Sequence, residues 1–283
     1  MGNREKPGRA MMRYPLLLLS LLVAVLLIPA APAEDAVPVE AAAPEEPAEV
    51  KPLRFLSSLD IPPFAYTEAG RKVGFEIDLG EAIGEVLGRP VRWVKRPFNI
   101  PALASELRAG QADAVFAALT VTEERERYFR FTIPYFRTSL AVATHRDLDW
   151  EPSAFRDGLR PIVRIGVLRR STAEDWAREN LQATRQTFDT PERLARALRD
   201  REVAMILIDE PVLRWELARR HYRFQVVEEG IDAQDYAIAV SPDNPELAEE
   251  LNRALRELEQ EGVYGEIYRK WYEATAALPQ LKR

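Results

Sequence analysis

The residues able to do the most specific chemistry form one short run, Thr120-Val121-Thr122-Glu123-Glu124-Arg125. An apolar segment before it, Ala114–Ala118, predicts a strand, and Thr122 is suited to cap a helix that begins at the next residue. Arg125 then falls in the first helical turn. Free backbone N–H groups, the positive end of the helix dipole and a forked guanidinium all favour a bound carboxylate. The run therefore predicts an anion site at Arg125.

A second interpretation of Arg125 stays open on these residues alone. The arginine stands in a run of alternating charges, Glu123 to Arg127, which is also typical of a solvated helix face.

The sequence offers little for catalysis. His145 and His221 are isolated, no cysteine occurs, and no spacing suits a metal site or a Ser-His-Asp triad. Glu76, Asp78 and Glu210 could act as catalytic acids, but each stands where a helix is expected to begin, and that position explains an acidic residue better. We expect no cofactor.

The elements that must position Arg125 alternate short apolar, β-branched runs with longer segments of helical period. This pattern predicts an α/β fold with parallel sheets covered by helices. The predicted strands are Leu53–Ser58, Val91–Lys95, Ala114–Ala118, Leu140–Thr144, Val163–Leu168, Arg185–Phe188, Val203–Ile208 and Tyr236–Val240. The predicted helices are Glu76–Leu87, Pro101–Ala109, Pro191–Arg199 and a C-terminal stretch, Pro245–Lys270, interrupted at Gly262.

The N-terminus predicts export. Basic residues precede an apolar run, Leu16 to Ile28, and an Ala-Pro-Ala sequence ends at Ala33, as in a cleavable signal peptide over residues 1–33. The run is short for a membrane anchor. Residues 34–52 are rich in Ala, Pro and Glu, a composition that favours a flexible leader. We therefore expect a periplasmic protein with no membrane anchor.

Charge argues against nucleic acid as a partner. The chain has a net charge of −6, and removal of residues 1–33 leaves 35 basic and 44 acidic residues, a net charge of −9. So acidic a protein is poorly suited to neutralise phosphates.

The order of several short motifs resembles that of the family 3 extracellular solute-binding proteins, the periplasmic components of ABC importers for polar amino acids. The resemblance covers nearly all of Leu53–Trp271. The motifs are Pro63-Phe64, Gly74-Phe75-Glu76-Ile77-Asp78-Leu79, Ile100-Pro101-Ala102-Leu103, Arg108-Ala109-Gly110-Gln111-Ala112-Asp113, Thr120 to Arg125, Pro134-Tyr135, Ile165-Gly166-Val167, Ser171-Thr172, Ile208-Asp209-Glu210, Tyr236 to Val240, Gly262 and Lys270-Trp271.

The resemblance implies a bilobed, type II periplasmic-binding-protein-like fold in which two α/β lobes are joined by two crossover segments. We place residues 53–142 and 238–283 in lobe 1 and residues 143–237 in lobe 2, with crossings near Ala141–Ala143 and near Tyr236–Val240. A polar, proline-containing stretch between Arg146 and Pro161 is expected to be a connection.

The resemblance also implies a ligand site in the cleft. The position matching Arg125 grips a ligand carboxylate with help from that of Thr120, the position matching Thr172 caps it from lobe 2, and that of Asp209 takes an ammonium group. Phe64, Ala118, Ser171 and Arg170 are further candidates for contact with the ligand.

Each implied role has a structural alternative. Thr120, Thr172 and Asp209 could cap helices, and Phe64 could fill the core. This chain has Arg169-Arg170-Ser171-Thr172 where amino-acid binders of this family commonly have a Gly before the last two positions. Arg170 could enter the cleft and favour an additional acidic group on the ligand, or both arginines could point to solvent or pair with Glu174 and Asp175.

Further departures affect specificity. Ile61 stands where a stacking aromatic is usual, Ser58 where an acidic residue is common, and Ala118 where serine is frequent. The resemblance implies a periplasmic substrate-binding component of an ABC transporter that acts as a monomer with a membrane permease as partner. A cleft enzyme that resembles cyclohexadienyl dehydratase, or a sensor for a separate membrane partner, are the alternative functions.

Overall fold

The computed structural model describes residues 50–147, 162–220 and 223–276, without the side chains of Arg220 and residues 273–276. The expected signal peptide, nearly all of the expected leader, most of the Arg146–Pro161 connection and His221 lie outside these ranges. Among the described helices, none combines the length and hydrophobicity that a membrane span requires.

The first lobe is built on a five-stranded sheet that contains β1 (Leu53–Ser57), β5 (Val91–Lys95), β6 (Ala114–Val115), β7 (Arg130–Phe131) and β13 (Ala239–Val240). Their order is β5-β1-β6-β13-β7. A small antiparallel sheet of β2 (Asp60–Ile61), β3 (Ala65–Glu68) and β4 (Arg71–Val73) follows β1. The helices of this lobe are α1 (Phe75–Val86), α2 (Ile100–Arg108), α3 (Glu123–Glu126), α7 (Pro245–Gln260) and α8 (Val263–Ala276).

The second lobe is built on a sheet that contains β8 (Phe136–His145), β9 (Arg164–Leu168), β10 (Thr184–Phe188), β11 (Met205–Asp209) and β12 (Phe224–Tyr236). Their order is β10-β9-β11-β8-β12. Its described helices are α4 (Thr172–Asn180), α5 (Pro191–Arg199) and α6 (Glu210–Arg220). The predicted α/β class and its bilobed form are thus confirmed.

Both sheets are mixed, where the strand pattern predicts parallel sheets. In the first sheet β1, β5 and β6 are parallel, but β13 is antiparallel to β6 and β7. In the second sheet β8 is antiparallel to both β11 and β12. The antiparallel strands are those that reach a sheet directly from the other lobe, without the helical crossover that makes neighbouring strands parallel.

The first change of sheet corrects the expected lobe boundary. β8 belongs to the second sheet from its first residue, because Phe136 pairs with Tyr236 and the pairing continues to His145. The chain therefore leaves the first sheet over residues 132–135, ahead of the expected Ala141–Ala143, and it returns at residues 237–238. Residues 136–142, assigned above to lobe 1, lie in the second sheet.

Two glycines bring α1 close to the first sheet. A Cβ on Gly80 would lie 2.5 Å from the Trp93 ring, and one on Gly84 would lie 2.4 Å from Val91 Cγ2 and 2.7 Å from the carbonyl oxygen of Arg89. Glycine in a helix interior costs about 1 kcal/mol relative to alanine. Here that cost accompanies a close helix-to-strand contact that a methyl group would prevent.

The buried side chain of Glu76 joins α1 to two other segments of the chain. Its Oε1 accepts hydrogen bonds from the backbone N–H of Ala118 at 2.5 Å and from the hydroxyl of Tyr135. Asp78, two residues on, accepts from Lys270 Nζ and Trp271 Nε1 of α8, both at 2.6 Å. A helix start alone therefore does not explain these two acids, since both hold distant segments against α1.

We expect Gly84→Ala to lower the free energy of unfolding by about 1–3 kcal/mol, the usual cost of an overpacked contact. Urea denaturation would measure it. Gly265→Ala is the control, because there a Cβ would meet only Arg269 Nη1, at 3.5 Å. That change should be neutral or stabilise the helix by up to about 1 kcal/mol. Equal losses in the two variants would contradict the close-contact explanation.

Burial raises the pKa of Glu76 from 4.5 to about 7, against the lowering effect of its bonds from Tyr135 and Ala118. A carboxyl group with a raised folded-state pKa contributes stability that is fully present below its unfolded pKa and is lost as pH rises through its folded pKa. We therefore expect the stability of Glu76→Gln, relative to wild type, to rise by about 2–3 kcal/mol between pH 5 and pH 8.

Urea denaturation across that pH range measures the difference for Glu76. Glu85→Gln, on the exposed side of the same helix, provides the control. A constant difference between wild type and Glu76→Gln over the whole range would show that Glu76 titrates normally.

Candidate functional site

One cavity of about 330 Å³ lies between the lobes and brings together most of the predicted site residues. From the first lobe its walls include Ser58, Asp60, Ile61, Lys95, Phe98 and Ala118, together with Thr120 and Arg125. From the second they include Arg169, Arg170, Ser171, Thr172, Thr190 and Asp209. The volume is at the lower end of those typical of small-molecule sites.

Arg125 is a buried cation at this cavity. Thr122 caps α3 by accepting a 3.2 Å bond from the backbone N–H of Arg125, as predicted. The side chain turns inward, is 7% exposed, and donates from Nη1 to the carbonyl oxygen of Thr120 at 2.8 Å. Its Cζ lies 5.5 Å from the centroid of the Phe98 ring. The interpretation of Arg125 as a solvated helix residue is therefore wrong.

The guanidinium of Arg125 has unused binding capacity. It carries five N–H donors and always a positive charge, yet within the described residues it forms no ion pair. Burial lowers its pKa, and Asp209 is the largest of the opposing influences. A buried cation of this kind is stabilised strongly by an anion that accepts two of its hydrogen bonds.

Asp209 supplies a negative charge to the same cavity. It ends β11, and its Oδ1 accepts a 2.6 Å bond from the hydroxyl of Tyr236. Burial raises the pKa of Asp209, while the bond from Tyr236 and the charge of Arg125 act in the opposite direction. The carboxylate is therefore oriented by a tyrosine from the end of β12.

Gln234 connects the two predicted threonines. Its Oε1 accepts from Thr120 Oγ1 at 3.1 Å and from Thr172 Oγ1 at 2.9 Å, while its Nε2 donates to Asp232 at 3.0 Å. Thr120 follows β6 of the first sheet, and Thr172 begins α4 of the second lobe. One buried amide thus forms a polar bridge between the lobes.

The helices beside Thr120 and Thr172 are capped by other residues, namely Thr122 and Ser171. Ser171 caps α4 by accepting from Glu174 N–H at 3.2 Å, and its own hydroxyl donates to Leu168 O at 2.7 Å. Thr172 is left to face the cavity. Capping therefore explains Ser171, in addition to its position at the cavity, and does not explain Thr120 or Thr172.

Phe64 lies apart from the other predicted residues. It is fully buried and packs edge-on against Phe75, Phe136 and Tyr236, with centroid distances of 6.3, 5.1 and 5.2 Å. It is not part of the cavity wall, so the expected ligand contact is corrected to a core position. Ala118 does line the cavity, with a left-handed backbone (φ 47°) whose N–H is bonded to Glu76.

Arg169 and Arg170 both line the cavity and are both exposed, but their side chains have different partners. Arg169 Nε donates to Asp189 at 2.8 Å. Arg170 directs Nη1 towards the carbonyl oxygen of Phe98 in the other lobe, at 3.4 Å, and its backbone N–H binds Glu174 at 2.6 Å. Glu174 therefore meets the backbone of Arg170, and the expected surface pairing with Asp175 is formed instead by Arg178, at 2.6 Å.

Several residues that line the cavity or bind its threonines were not identified from the sequence. Lys95 is the last residue of β5, Phe98 follows that strand closely, and Asp60 follows β1 closely. Ligand sites of α/β folds lie at the carboxyl ends of strands, so these positions were an available signal. Gln234 carried no such signal, because it lies within β12, of which only the last residue was predicted as strand.

The sequence matches the bacterial extracellular solute-binding proteins, family 3, over residues 53–274. The arginine-binding periplasmic protein of Mannheimia haemolytica is 28% identical over 217 residues, which cover 74% of this chain and 86% of that protein.

Two solved structures extend the comparison. An ancestral arginine-binding protein bound to arginine shares 29% identity and a TM-score of 0.70, covering 78% of this chain and 97% of the other. An ancestral amino acid-binding protein, a precursor of cyclohexadienyl dehydratase, shares 26% identity and a TM-score of 0.71, covering 78% and 95%.

The family match spans both lobes and every cavity residue named above, and it confirms the resemblance found in the sequence motifs. The chain belongs to the bacterial extracellular solute-binding proteins, family 3.

Proposed function

We propose that this protein is the periplasmic substrate-binding component of an ABC importer and that it binds an amino acid or a related carboxylate between its lobes. The observation that carries the proposal is the buried Arg125 guanidinium, which lines the same cavity as the Asp209 carboxylate. A zwitterion needs both charges in one water-poor site, where charge-assisted hydrogen bonds are stronger than in water.

The proposed roles follow from charge and position. Arg125 holds the α-carboxylate of the ligand, and Thr120 and Thr172 add hydroxyl groups from the two lobes. Asp209, oriented by Tyr236, accepts the ammonium group. Arg170 and Ala118 complete the walls, and Ser171 acts through the start of α4.

Relatives support the role and the partners. The Mannheimia haemolytica relative is named as arginine-binding and periplasmic, and a relative in Escherichia coli is named as an ABC transporter arginine-binding protein. We propose by extension an exported monomer, with residues 1–33 as signal peptide, that presents its ligand to a membrane permease. Its acidic net charge disfavours nucleic acid as a partner.

Binding is proposed to act through closure of the lobes. A ligand stabilises a closed form only by contacts that differ between the open and closed states. Thr172 and Asp209 come from the second lobe and Arg125 from the first, so a ligand held by all three provides that difference.

A catalytic role is the alternative, because one structural relative is a precursor of a dehydratase. Catalysis would need a positioned acid or base beside the ligand. Each acid described at the cavity already interacts with another residue. Asp189 pairs with Arg169, Asp209 accepts a hydrogen bond from Tyr236, and Asp60 is influenced by the charge of Lys95. This arrangement favours binding.

We expect Arg125→Ala to weaken binding of every amino acid ligand at least 100-fold, since it removes the cation that faces the carboxylate. A thermal-shift screen of amino acids would identify ligands of the wild-type protein, and calorimetry would measure their affinities. Arg127→Ala, an exposed arginine of the same segment, is the matched control. Retained affinity in a folded Arg125→Ala variant would refute the proposed clamp. A ligand chemically altered after incubation would instead favour an enzyme.

We expect Gln234→Ala to weaken ligand affinity about tenfold, close to 1.4 kcal/mol, because it removes the amide that bridges Thr120 and Thr172. Small-angle scattering should show a larger radius of gyration at subsaturating ligand. Gln225→Ala is the control on the same strand, outside the cavity. If both variants bind as wild type does, the bridge contributes nothing to closure.

A further inference from the structure

The cavity has an excess of basic residues beyond the one that the proposed function uses. In the first lobe Lys95 is the last residue of β5 and Arg96 follows it, and in the second lobe Arg169 and Arg170 follow β9. All four residues line the cavity that contains Arg125. Each lobe therefore contributes a pair of cations to the same space.

Two of these four cations are neutralised by the protein. Arg96 Nε lies 2.8 Å from Glu106 Oε2, and Arg169 Nε lies 2.8 Å from Asp189 Oδ1. Within the described part of the chain, the side chains of Lys95 and Arg170 form no ion pair with a carboxylate. Lys95 acts on Asp60 only through space, lowering its pKa against the dominant effect of burial.

The backbone of Arg170 favours a role for its side chain. Its φ is 61°, in the left-handed region that costs a residue with a Cβ about 1 kcal/mol or more. Glycine would adopt this conformation without strain. Glu174 binds the backbone N–H at 2.6 Å, and the guanidinium reaches across the cleft towards Phe98 O at 3.4 Å. The turn thus holds a cation over the cavity.

The unpaired cations of the walls indicate the charge of the ligand. The lining carries five cations, namely Lys95, Arg96, Arg125, Arg169 and Arg170, against the three acids Asp60, Asp189 and Asp209. Glu106 and Glu174 add two acids nearby, at the side chain of Arg96 and at the backbone N–H of Arg170, so the charges balance in number. The side chains of Lys95 and Arg170 nevertheless have no carboxylate at ion-pair distance within the described residues, and a ligand with a negatively charged side chain supplies one. A zwitterion with a neutral side chain does not.

From these two unpaired cations we infer that the side chain of the ligand is anionic and lies between Lys95 and Arg170, so that the preferred ligand is an acidic amino acid. The inference rests on the proposed function, in which Arg125 and Asp209 hold the α-carboxylate and ammonium groups. A ligand with a cationic side chain would have to compete with Lys95 for Asp60. The neighbouring wall residues Ser58, Ile61 and Ala118 carry no charge that could bind it. The site would thus differ from relatives named as arginine-binding.

Calorimetry with L-glutamate, L-glutamine and L-arginine at low salt tests the inference. Glutamate and glutamine have nearly the same shape and differ in charge. We expect wild type to bind glutamate at least tenfold more tightly than glutamine, with arginine weakest. Arg170→Gly and Lys95→Gln should each weaken glutamate binding at least tenfold and change glutamine binding less than threefold.

Arg201→Gly is the matched control, because Arg201 is an exposed arginine that also has a left-handed backbone (φ 58°) and pairs with Asp147 at 3.0 Å outside the cavity. It should leave the preference for glutamate intact. Glutamine or arginine binding as tightly as glutamate would overturn the inference and leave the proposed function standing. No binding of any amino acid in the wider screen would overturn both.

Discussion

The burial of a single guanidinium is the constraint around which this cleft is organised. An unpaired charge removed from water is costly, and Arg125 recovers part of the lost hydration through the carbonyl oxygen of Thr120 and the face of Phe98. Asp209 lies close enough to oppose the effect of burial on its pKa. Thr120 and Phe98 belong to the same lobe as Arg125, and Asp209 belongs to the other, so both lobes contribute to the surroundings of the cation.

The strand β12 carries the second part of this arrangement. Near its end, Gln234 bridges Thr120 and Thr172, and Tyr236 orients Asp209. Tyr236 is also the last residue before the chain returns to the first sheet. The residues that hold Thr120, Thr172 and Asp209 in place are therefore adjacent in sequence to a crossing between the lobes.

The elements with strong local signals were predictable from the sequence. Val91–Lys95 and Pro191–Arg199 were predicted with the bounds that the structure has, because their apolar periodicity and, in the helix, a proline at the first turn act locally. The helix α4 was missed, since Ala173 and Ala177 are its only fully buried residues. The first crossing was placed too late because β8 begins at Phe136, and the polar residues 137–139 ahead of its apolar run gave no strand signal.

The sequence by itself determined the family, the α/β class, the cap at Thr122 and the presence of a basic residue suited to a carboxylate at Arg125, because these depend on residue order and local geometry. Only the tertiary structure decided that Phe64 fills the core, that Gln234 joins two threonines, that Glu76 binds Ala118, and that Arg170 spans the cleft. Each of these depends on partners more than 40 residues away in the chain or on packing between elements, and a local pattern carries no information about such distances.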